Sequence, residues 1–256
     1  MKIIKYIQYH LQNISYMIRN KSTLIMIIKY LSSELKKLYF KRIYRNKINV
    51  LLLSLKNNFT LDIKFFSYER FYNILFMFVA LKKKFSNNLK ILEIGSFQGG
   101  TSLVLLKLFE NSSLDIVDTW SDEFIEGNKD FKKIKFGKIE ADFDKNLSQY
   151  KQKVQKFKSS SKSFFEEKFN QSNNQDKKYD IIYIDGSHSY EDVLTDAKNS
   201  SKCLNLNGII IFDDYLWKQN DEQQNPINAI NKFLNEEIKS FEIVFLYHQL
   251  IIKKIK

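Results

Sequence analysis

The sequence predicts an α/β protein in which a doubly wound, Rossmann-like sheet ends in an antiparallel strand pair and follows a basic helical extension. From residue 89 onward, short apolar runs alternate with helical patterns. The runs are continuously apolar, which indicates strands buried on both faces of a largely parallel sheet. The last apolar stretch, 241–255, has the pattern of two successive strands. Before residue 89 the pattern is helical throughout.

Within residues 1–88, apolar residues recur every three or four positions, as in Ile3, Ile7 and Leu11, and 67–85 is the strongest helical segment. No proline or glycine marks a linker in this part of the chain. We therefore predict two parts, a basic helical extension over 1–88 and an α/β domain over 89–256.

The α/β domain is predicted to contain six strand segments separated by helices. The strands are expected at 89–95, 114–118, 153–158, 179–185, 208–214 and, as a pair, 241–255. Helices are expected at 101–110, 162–169, 189–204 and 228–237, whereas 125–150 reads as loop or helix. Ser189 is a plausible N-cap for the third of these helices.

The net charge of +12 is concentrated at the start of the chain. Residues 1–90 contain 18 lysines and arginines against 3 acids, and the remainder contains 23 against 26. A basic surface of this kind attracts nucleic acid, anionic lipid or an acidic partner, although lysine-rich helix faces can also be merely solvated.

The single cysteine, Cys203, excludes an internal disulfide and suits a reducing compartment. The early apolar stretches, such as 23–28 and 50–55, are much shorter than the ~20 residues that span a bilayer. The N-terminus also lacks the long apolar region of a signal peptide. The expectation is a soluble cytoplasmic protein.

Glycines and polar side chains follow the ends of the predicted parallel strands, where ligands bind in doubly wound sheets. They are Gly95 to Gly100, Asp118, Ser159 with Ser160, Asp185 with His188, and Asp213 with Asp214. The sequence therefore predicts a ligand site at this edge of the sheet.

The turn "EIGSFQGGTS" at 93–102 suits a ligand that approaches the backbone closely, because Gly95 permits a tight turn and a helix N-terminus follows. It is not the G-x-G-x-x-G pattern of pyrophosphate binders. Asp118 is placed to accept hydrogen bonds from ribose hydroxyls, or it is simply a strand-end turn former. Trp120 could stack on an adenine or pack in the core.

Asp185 and Asp213 end neighbouring predicted strands, 28 residues apart, and Asp214 follows directly. Three carboxylates at one sheet edge repel each other unless they are protonated or neutralised by a cation. Oxygen ligands favour Mg²⁺ or Ca²⁺. The alternatives are strand-end capping for Asp185 and an exposed turn for the acid pair.

Residues 89–255 resemble a class I S-adenosylmethionine (SAM)-dependent methyltransferase. The stretch "LEIGSFQGGTS" resembles the first sequence motif of that fold. The stretches "IDGSHSYEDVLTD" and "GIIIFDDY" resemble motifs of its metal-dependent O-methyltransferase branch. That branch includes macrocin-type sugar methyltransferases and, more distantly, catechol O-methyltransferase. The resemblance covers about two thirds of the chain and leaves residues 1–88 uncovered.

The resemblance implies that SAM is the cofactor. The residues that would line its methionine part are Glu93, Gly95, Ser96, Gly99 and Thr101. Asp118 would hold the ribose, and Ser159 with Ser160 would flank the adenine. The family often has Gly-Asp at this last position, so the Ser-Ser pair departs from its pattern.

Metal-dependent members have an acid, a base three residues later, and an acid pair 28 residues after the first acid. The resemblance thus implies that Asp185, Asp213 and Asp214 bind Mg²⁺ or another hard divalent cation and that His188 is the catalytic base. His10 and His248 have no comparable setting and are expected to be structural.

Three functions stay open at this point. The first is an O-methyltransferase whose acceptor is a sugar or another small hydroxylated molecule. The second is a nucleic-acid methyltransferase that docks through residues 1–88, although carboxylates at the acceptor edge would repel phosphates. The third is a non-catalytic SAM- or nucleotide-binding module. Residues 1–88 could also form a lid, an oligomer interface or a contact with an anionic membrane.

Overall fold

The computed structural model of the protein describes residues 2–61, 81–82, 85, 88–121, 136–170, 178–237 and 239–256. Within them, seven strands form one sheet in the order β3-β2-β1-β4-β5-β7-β6. The strands are β1 (Lys90–Ile94), β2 (Ser113–Asp118), β3 (Val154–Lys158), β4 (Tyr179–Ile184), β5 (Leu204–Phe212), β6 (Phe241–Leu246) and β7 (Leu250–Lys254). The predicted α/β sheet with its antiparallel terminal pair is confirmed.

The helices of the described residues agree with the predicted pattern. They are α1 (Lys2–Arg19), α2 (Leu24–Asn58), α3 (Gly100–Leu108), α4 (Phe136–Asn146), α5 (Ser161–Asn170), α6 (Tyr190–Cys203) and α7 (Pro226–Glu236). The predicted helix at 67–85 lies almost entirely outside the described residues, as does the first part of 125–150. Ser189 caps α6 by accepting a hydrogen bond from the Asp192 amide, as predicted.

Strand β5 begins at Leu204, four residues before the predicted start at residue 208. Leu204 is buried, whereas Leu206 is 62% exposed. The stretch "LNLN" therefore becomes more exposed from Leu204 to Leu206 and does not alternate between a buried and an exposed side. It lacks the continuous apolar run that signalled the other strands.

Internal contacts divide the chain into two compact units, with boundaries inside α2 and β4. Unit 2 is Lys37–Ile181. In it, β1, β2 and β3 pair in parallel, with Ile91 opposite Leu114 and Leu114 opposite Val154. The side chains of α3 are almost all buried, as its apolar sequence requires. The predicted boundary after residue 88 stays a prediction.

Unit 1 combines Met1–Lys36 with Ile182–Lys256. Strands β5, β7 and β6 pair antiparallel here, and the Asp213 amide donates a hydrogen bond to the Ile184 carbonyl at the end of β4. Helix α1 and the first part of α2 bury Tyr16, Met17 and Tyr30. The carboxyl ends of β4 and β5 are thereby held side by side within this unit.

Candidate functional site

The turn between β1 and α3 has the conformation that its glycines permit. Gly95 and Gly99 have φ of 81° and 80°, in the left-handed region that glycine adopts without steric cost. Helix α3 then begins at Gly100, with Gly99 at its N-cap. The first amides of α3 have no partner inside the helix, so this end is suited to an anionic or carboxylate group.

Replacing Gly99 with alanine is expected to destabilise the protein by about 1–3 kcal/mol. The added Cβ would lie 3.1 Å from Leu147 Cδ2 and 3.2 Å from Phe143 Cδ2, on a backbone that L-residues avoid. Gly137 is the matched control, because a Cβ there meets nothing within 4 Å. Gly137→Ala in helix α4 should be neutral or slightly stabilising. Chemical denaturation of both variants measures the difference, and equal losses would contradict the packing argument.

Asp118 ties the Gly95 turn to the end of β2. Its Oδ2 accepts hydrogen bonds from the amides of Ser96 (2.8 Å) and Phe97 (2.9 Å), and its Oδ1 accepts one from the amide of Trp120 (2.8 Å). The turn-forming role considered for Asp118 is thus present in the structure. A carboxylate offers about four lone-pair sites, so Oδ1 can still accept a bond from a ribose hydroxyl.

Glu93, at the penultimate position of β1, is a fully buried carboxyl group. Burial raises its pKa to about 8, opposed chiefly by the hydrogen bond that the Ser102 hydroxyl donates to Oε2. The nearby charge of Asp118 raises the pKa further. The other oxygen, Oε1, is buried and has no hydrogen-bond partner among the described residues. A buried acceptor without a donor is suited to a polar group of a ligand.

The remaining residues predicted to contact SAM lie in the same unit. Thr101 is buried at the start of α3. The Ser159 amide donates to the Asp118 carbonyl (3.1 Å), which places this serine beside the end of β2. Ser160 caps α5 through a hydrogen bond from the Ser163 amide to its hydroxyl (3.1 Å). Each of these residues therefore also stabilises the local backbone or core.

Trp120 has the packing role rather than an exposed stacking face. It is 3% exposed, and its ring centroid lies 4.7 Å from that of Phe143. The ammonium of Lys156 lies 4.6 Å from the centre of the indole ring. Its indole N–H donates to the Phe97 carbonyl (2.9 Å), which adds a second tie to the Gly95 turn.

In unit 1, the ends of β4 and β5 bring together Asp185, His188 and Asp214. One ligand atom from each residue lies within 4.8 Å of the others, and all three are partly exposed. His188 Nε2 and Asp214 Oδ2 are 2.8 Å apart. We call these three residues the strand-end cluster. Two carboxylates and an imidazole at this spacing form a set of donors that can hold a divalent cation.

Asp213, predicted as a metal ligand, is placed differently from Asp214. It is 2% exposed, and its Oδ1 accepts hydrogen bonds from the Tyr183 hydroxyl (2.5 Å) and the Gln249 amide (3.0 Å). It also lines the same small cavity of about 20 Å³ as Asp185 and Asp214. A cavity of that size holds a water molecule or an ion but not a substrate.

His188 is held by two residues outside the predicted ligand set, one at its ring and one at its carbonyl. Trp217 stacks on it with ring centroids 5.3 Å apart and an interplanar angle of 22°. The Gln219 side chain donates to the His188 carbonyl and, at 3.3 Å, to that of Gln224. An aromatic residue such as Trp217, close after the acid pair, could have been recognised from the sequence. Gln219 lies in a polar loop without a motif and could not.

A larger open cavity of about 660 Å³ also lies in unit 1. Its walls come from the turn after α1, from the segment before α7, and from the exposed side of α7. Six carboxamide side chains line it together with basic residues and a tyrosine: Asn20, Gln223, Gln224, Asn228, Asn231, Asn235, Arg19, Lys21, Lys232, Tyr190 and Glu236. Carboxamides both donate and accept hydrogen bonds, so the cavity suits a ligand rich in hydroxyl groups.

The seven-stranded sheet with its antiparallel terminal pair is the fold of class I SAM-dependent methyltransferases, and the glycine turn and strand-end acids are typical of them. Residues 92–215 match the family described as "Methyltransferase domain". This match covers just under half of the chain and, together with the fold, supports a SAM-dependent methyltransferase. A search of curated proteins finds no match to the sequence.

Solved structures with this fold include three methyltransferases, each with a TM-score of 0.52. A Staphylococcus aureus protein, proposed to be a caffeoyl-CoA O-methyltransferase, is 18% identical over 87% of this chain and 100% of its own. An O-methyltransferase from Bacillus cereus in complex with SAH is 15% identical over 71% and 80%. TomG from Streptomyces achromogenes, an O-methyltransferase involved in tomaymycin synthesis, is 10% identical over 71% and 79%, in complex with SAM. At these identities the likeness establishes the fold.

Proposed function

We propose that the protein transfers the methyl group of SAM to a hydroxyl group of a small polar acceptor, with the help of a divalent cation. The observation that carries the proposal is the strand-end cluster of Asp185, His188 and Asp214. A carboxylate pair beside a histidine provides both ligands for a hard cation and a base for a hydroxyl proton.

Asp185 and Asp214 would hold the cation, which is proposed to be Mg²⁺ or another hard divalent ion. When bound, it would lower the pKa of an acceptor hydroxyl and orient it. Asp213 stays a predicted third ligand, and its hydrogen bonds to Tyr183 and Gln249 support an additional role in bracing the end of β5.

His188 would accept the proton of the acceptor hydroxyl. Its ring is fixed by Trp217, and its Nε2 is held by Asp214. When Asp214 Oδ2 serves as a ligand, Nε2 loses this partner and can accept a proton from the acceptor. The resulting oxyanion would attack the methyl carbon, whose bond to sulfur breaks and leaves S-adenosylhomocysteine.

The proposed SAM site consists of the glycine turn and the groups around it. Its residues are Glu93, Gly95, Ser96, Gly99, Thr101, Asp118, Ser159 and Ser160. The buried Oε1 of Glu93, which has no hydrogen-bond partner among the described residues, and the α3 N-terminus, which no side chain caps, support a ligand in this turn. Asp118 would take a ribose hydroxyl on Oδ1.

The acceptor class is proposed to be a sugar or another small molecule with several hydroxyl groups. The amide-rich cavity in unit 1 supports this class because its side chains match hydroxyl donors and acceptors alike. The central experiment is isothermal titration with SAM, with and without Mg²⁺, followed by a methyl-transfer screen over sugars, catechols and RNA. No SAM binding would overturn the proposal, and transfer to RNA alone would favour the nucleic-acid alternative.

Asp185→Asn and Asp214→Asn are expected to weaken Mg²⁺ binding by roughly ten- to a hundredfold or more, because each removes a charged oxygen ligand. Asp221→Asn, which changes an exposed acid on the same unit, is the control and should leave the affinity unchanged. Titration of Mg²⁺ and Zn²⁺ measures the effect, and EDTA should abolish turnover of the unaltered protein.

His188→Ala, studied in the same titration, distinguishes a role of His188 as the base from a role as a metal ligand. If His188 is the base, Mg²⁺ affinity stays close to that of the unaltered protein while turnover falls. A parallel loss of metal affinity would instead make His188 a ligand and would contradict the assigned base. Full activity after EDTA treatment would remove the metal from the proposal.

A further inference from the structure

Helix α1 has an aliphatic face that points away from the protein. Ile4, Ile7, Leu11 and Ile18 recur at helical spacing and are between 51% and 62% exposed. The buried positions of α1 include Tyr16 and Met17, on the opposite side of the helix. The helix therefore buries a mixed polar and aromatic side and leaves its most aliphatic side in contact with solvent.

The first part of α2 repeats this arrangement. Its exposed aliphatic residues are 46% to 70% exposed: Leu24, Ile25, Ile28, Leu31 and Leu35. Met26 and Tyr30 are buried, on the opposite side of the helix. We call the nine exposed residues of the two helices the aliphatic surface. Exposed aliphatic residues that recur along one side of a helix in this number indicate an interaction site.

Hydrogen bonds hold the inner sides of both helices to the rest of unit 1. The Tyr16 hydroxyl donates to the Trp217 carbonyl (2.9 Å), and the Leu246 amide donates to the Ser33 hydroxyl (3.1 Å). Rotating either helix to bury its aliphatic side would break these bonds. The outward orientation is therefore a fixed property of unit 1.

The segment that carries the aliphatic surface is predominantly basic. Residues 2–36 contain six basic side chains, Lys2, Lys5, Arg19, Lys21, Lys29 and Lys36, and one acid, Glu34. Glu34 is 6% exposed and is bonded to the Tyr6 hydroxyl (3.0 Å), so it contributes little to the outer surface. An occupant of this surface must match both apolar area and positive charge.

We infer that the aliphatic surface binds the surface of an anionic lipid bilayer, with α1 and the start of α2 lying in the plane of the interface. Amphipathic helices with an aliphatic side and flanking lysines bind anionic lipids in this way. A second copy of the chain would bring like charges together. Within the part of the chain that the structure describes, no helix qualifies as a membrane span.

Flotation with vesicles tests the inference, using phosphatidylcholine alone and an equimolar mixture with phosphatidylglycerol. The protein should bind the anionic vesicles, and the binding should weaken at high salt. Ile7→Ser with Ile28→Ser should lower the binding by about tenfold or more. Leu206→Ser is the control, because Leu206 is slightly more exposed (62%) than Ile7 (51%) and Ile28 (58%) but lies on β5 of the same unit.

Charge-reversal variants test the contribution of the lysines. Lys29→Glu with Lys36→Glu should also lower binding by about tenfold or more, whereas Lys239→Glu with Lys256→Glu, two exposed lysines outside α1 and α2, should change it less. Circular dichroism melts show whether each variant folds. Equal binding to neutral vesicles, or equal effects of surface and control variants, would overturn the inference. So would a dimer that becomes monomeric in Ile7→Ser with Ile28→Ser while no vesicle binding is seen.

Discussion

Replacing His188 with alanine is expected to lower turnover by roughly two to four orders of magnitude while SAM affinity stays unchanged. The imidazole is the group of the strand-end cluster able to accept a hydroxyl proton near neutral pH, and alanine removes it without touching the glycine turn. Single-turnover methyl transfer, with SAM affinity measured separately, gives the two readouts. Ser187→Ala, an exposed neighbour, is the control and should retain full turnover.

A loss of turnover that is matched by an equal loss of SAM affinity would point to a structural role for His188. Unchanged turnover would remove the base assignment and leave proton acceptance to Asp185 or to solvent. Trp217→Leu offers a further comparison, because it releases the stacked ring but keeps the imidazole. It should lower turnover less than His188→Ala does.

Glu93→Gln is expected to stabilise the protein at alkaline pH and to leave it nearly unchanged in acid. Burial raises the pKa of Glu93 to about 8 from the ordinary value of 4.5. Between these values the folded protein binds a proton that the unfolded chain has lost, so stability falls as pH rises, by roughly 1.4 kcal/mol per pH unit. Glutamine cannot ionise and removes this loss.

Denaturant unfolding at several pH values between about 4.5 and 9 measures the difference between Glu93→Gln and the unaltered protein. Glu140→Gln is a control whose effect on stability should depend on pH in the opposite direction. Hydrogen bonds from Lys156 and Lys158 lower the pKa of Glu140, so its contribution is present above the unfolded value and disappears in acid. Parallel pH curves for Glu93→Gln and the unaltered protein would show that Glu93 stays ionised in the folded state.

Most of the sheet could be predicted because its strands are continuous apolar runs that end in glycine or acid. The same logic predicted that Asp185, His188 and Asp214 would come together. It could not separate Asp213 from Asp214, because both lie in the turn after β5, where no periodic pattern assigns a side chain to one side. The hydrogen bonds that Asp213 makes to Tyr183 and Gln249 depend on tertiary contacts that no local pattern records.

The N-terminal helices show another limit of the sequence. The three- and four-residue spacing of Ile4, Ile7 and Leu11 indicated a helix, and α1 is one. Such spacing normally marks the buried side. Here the buried side carries Tyr16 and Met17, and the regular aliphatic positions are exposed. Periodicity identified the element but not the side that faces the core.

Unit 1 consists of two segments that are far apart in the sequence, and this separation affects how the chain folds during synthesis. Met1–Lys36 is synthesised before the rest of unit 1, which lies between residues 182 and 256. The Tyr9–His248 and Ser33–Leu246 bonds span more than 200 residues of sequence. Contacts of such high sequence separation form late and slowly. The helical part of Met1–Lys36 can therefore pack against residues 182–256 only after those residues have been made, and chaperone binding would protect it in the meantime.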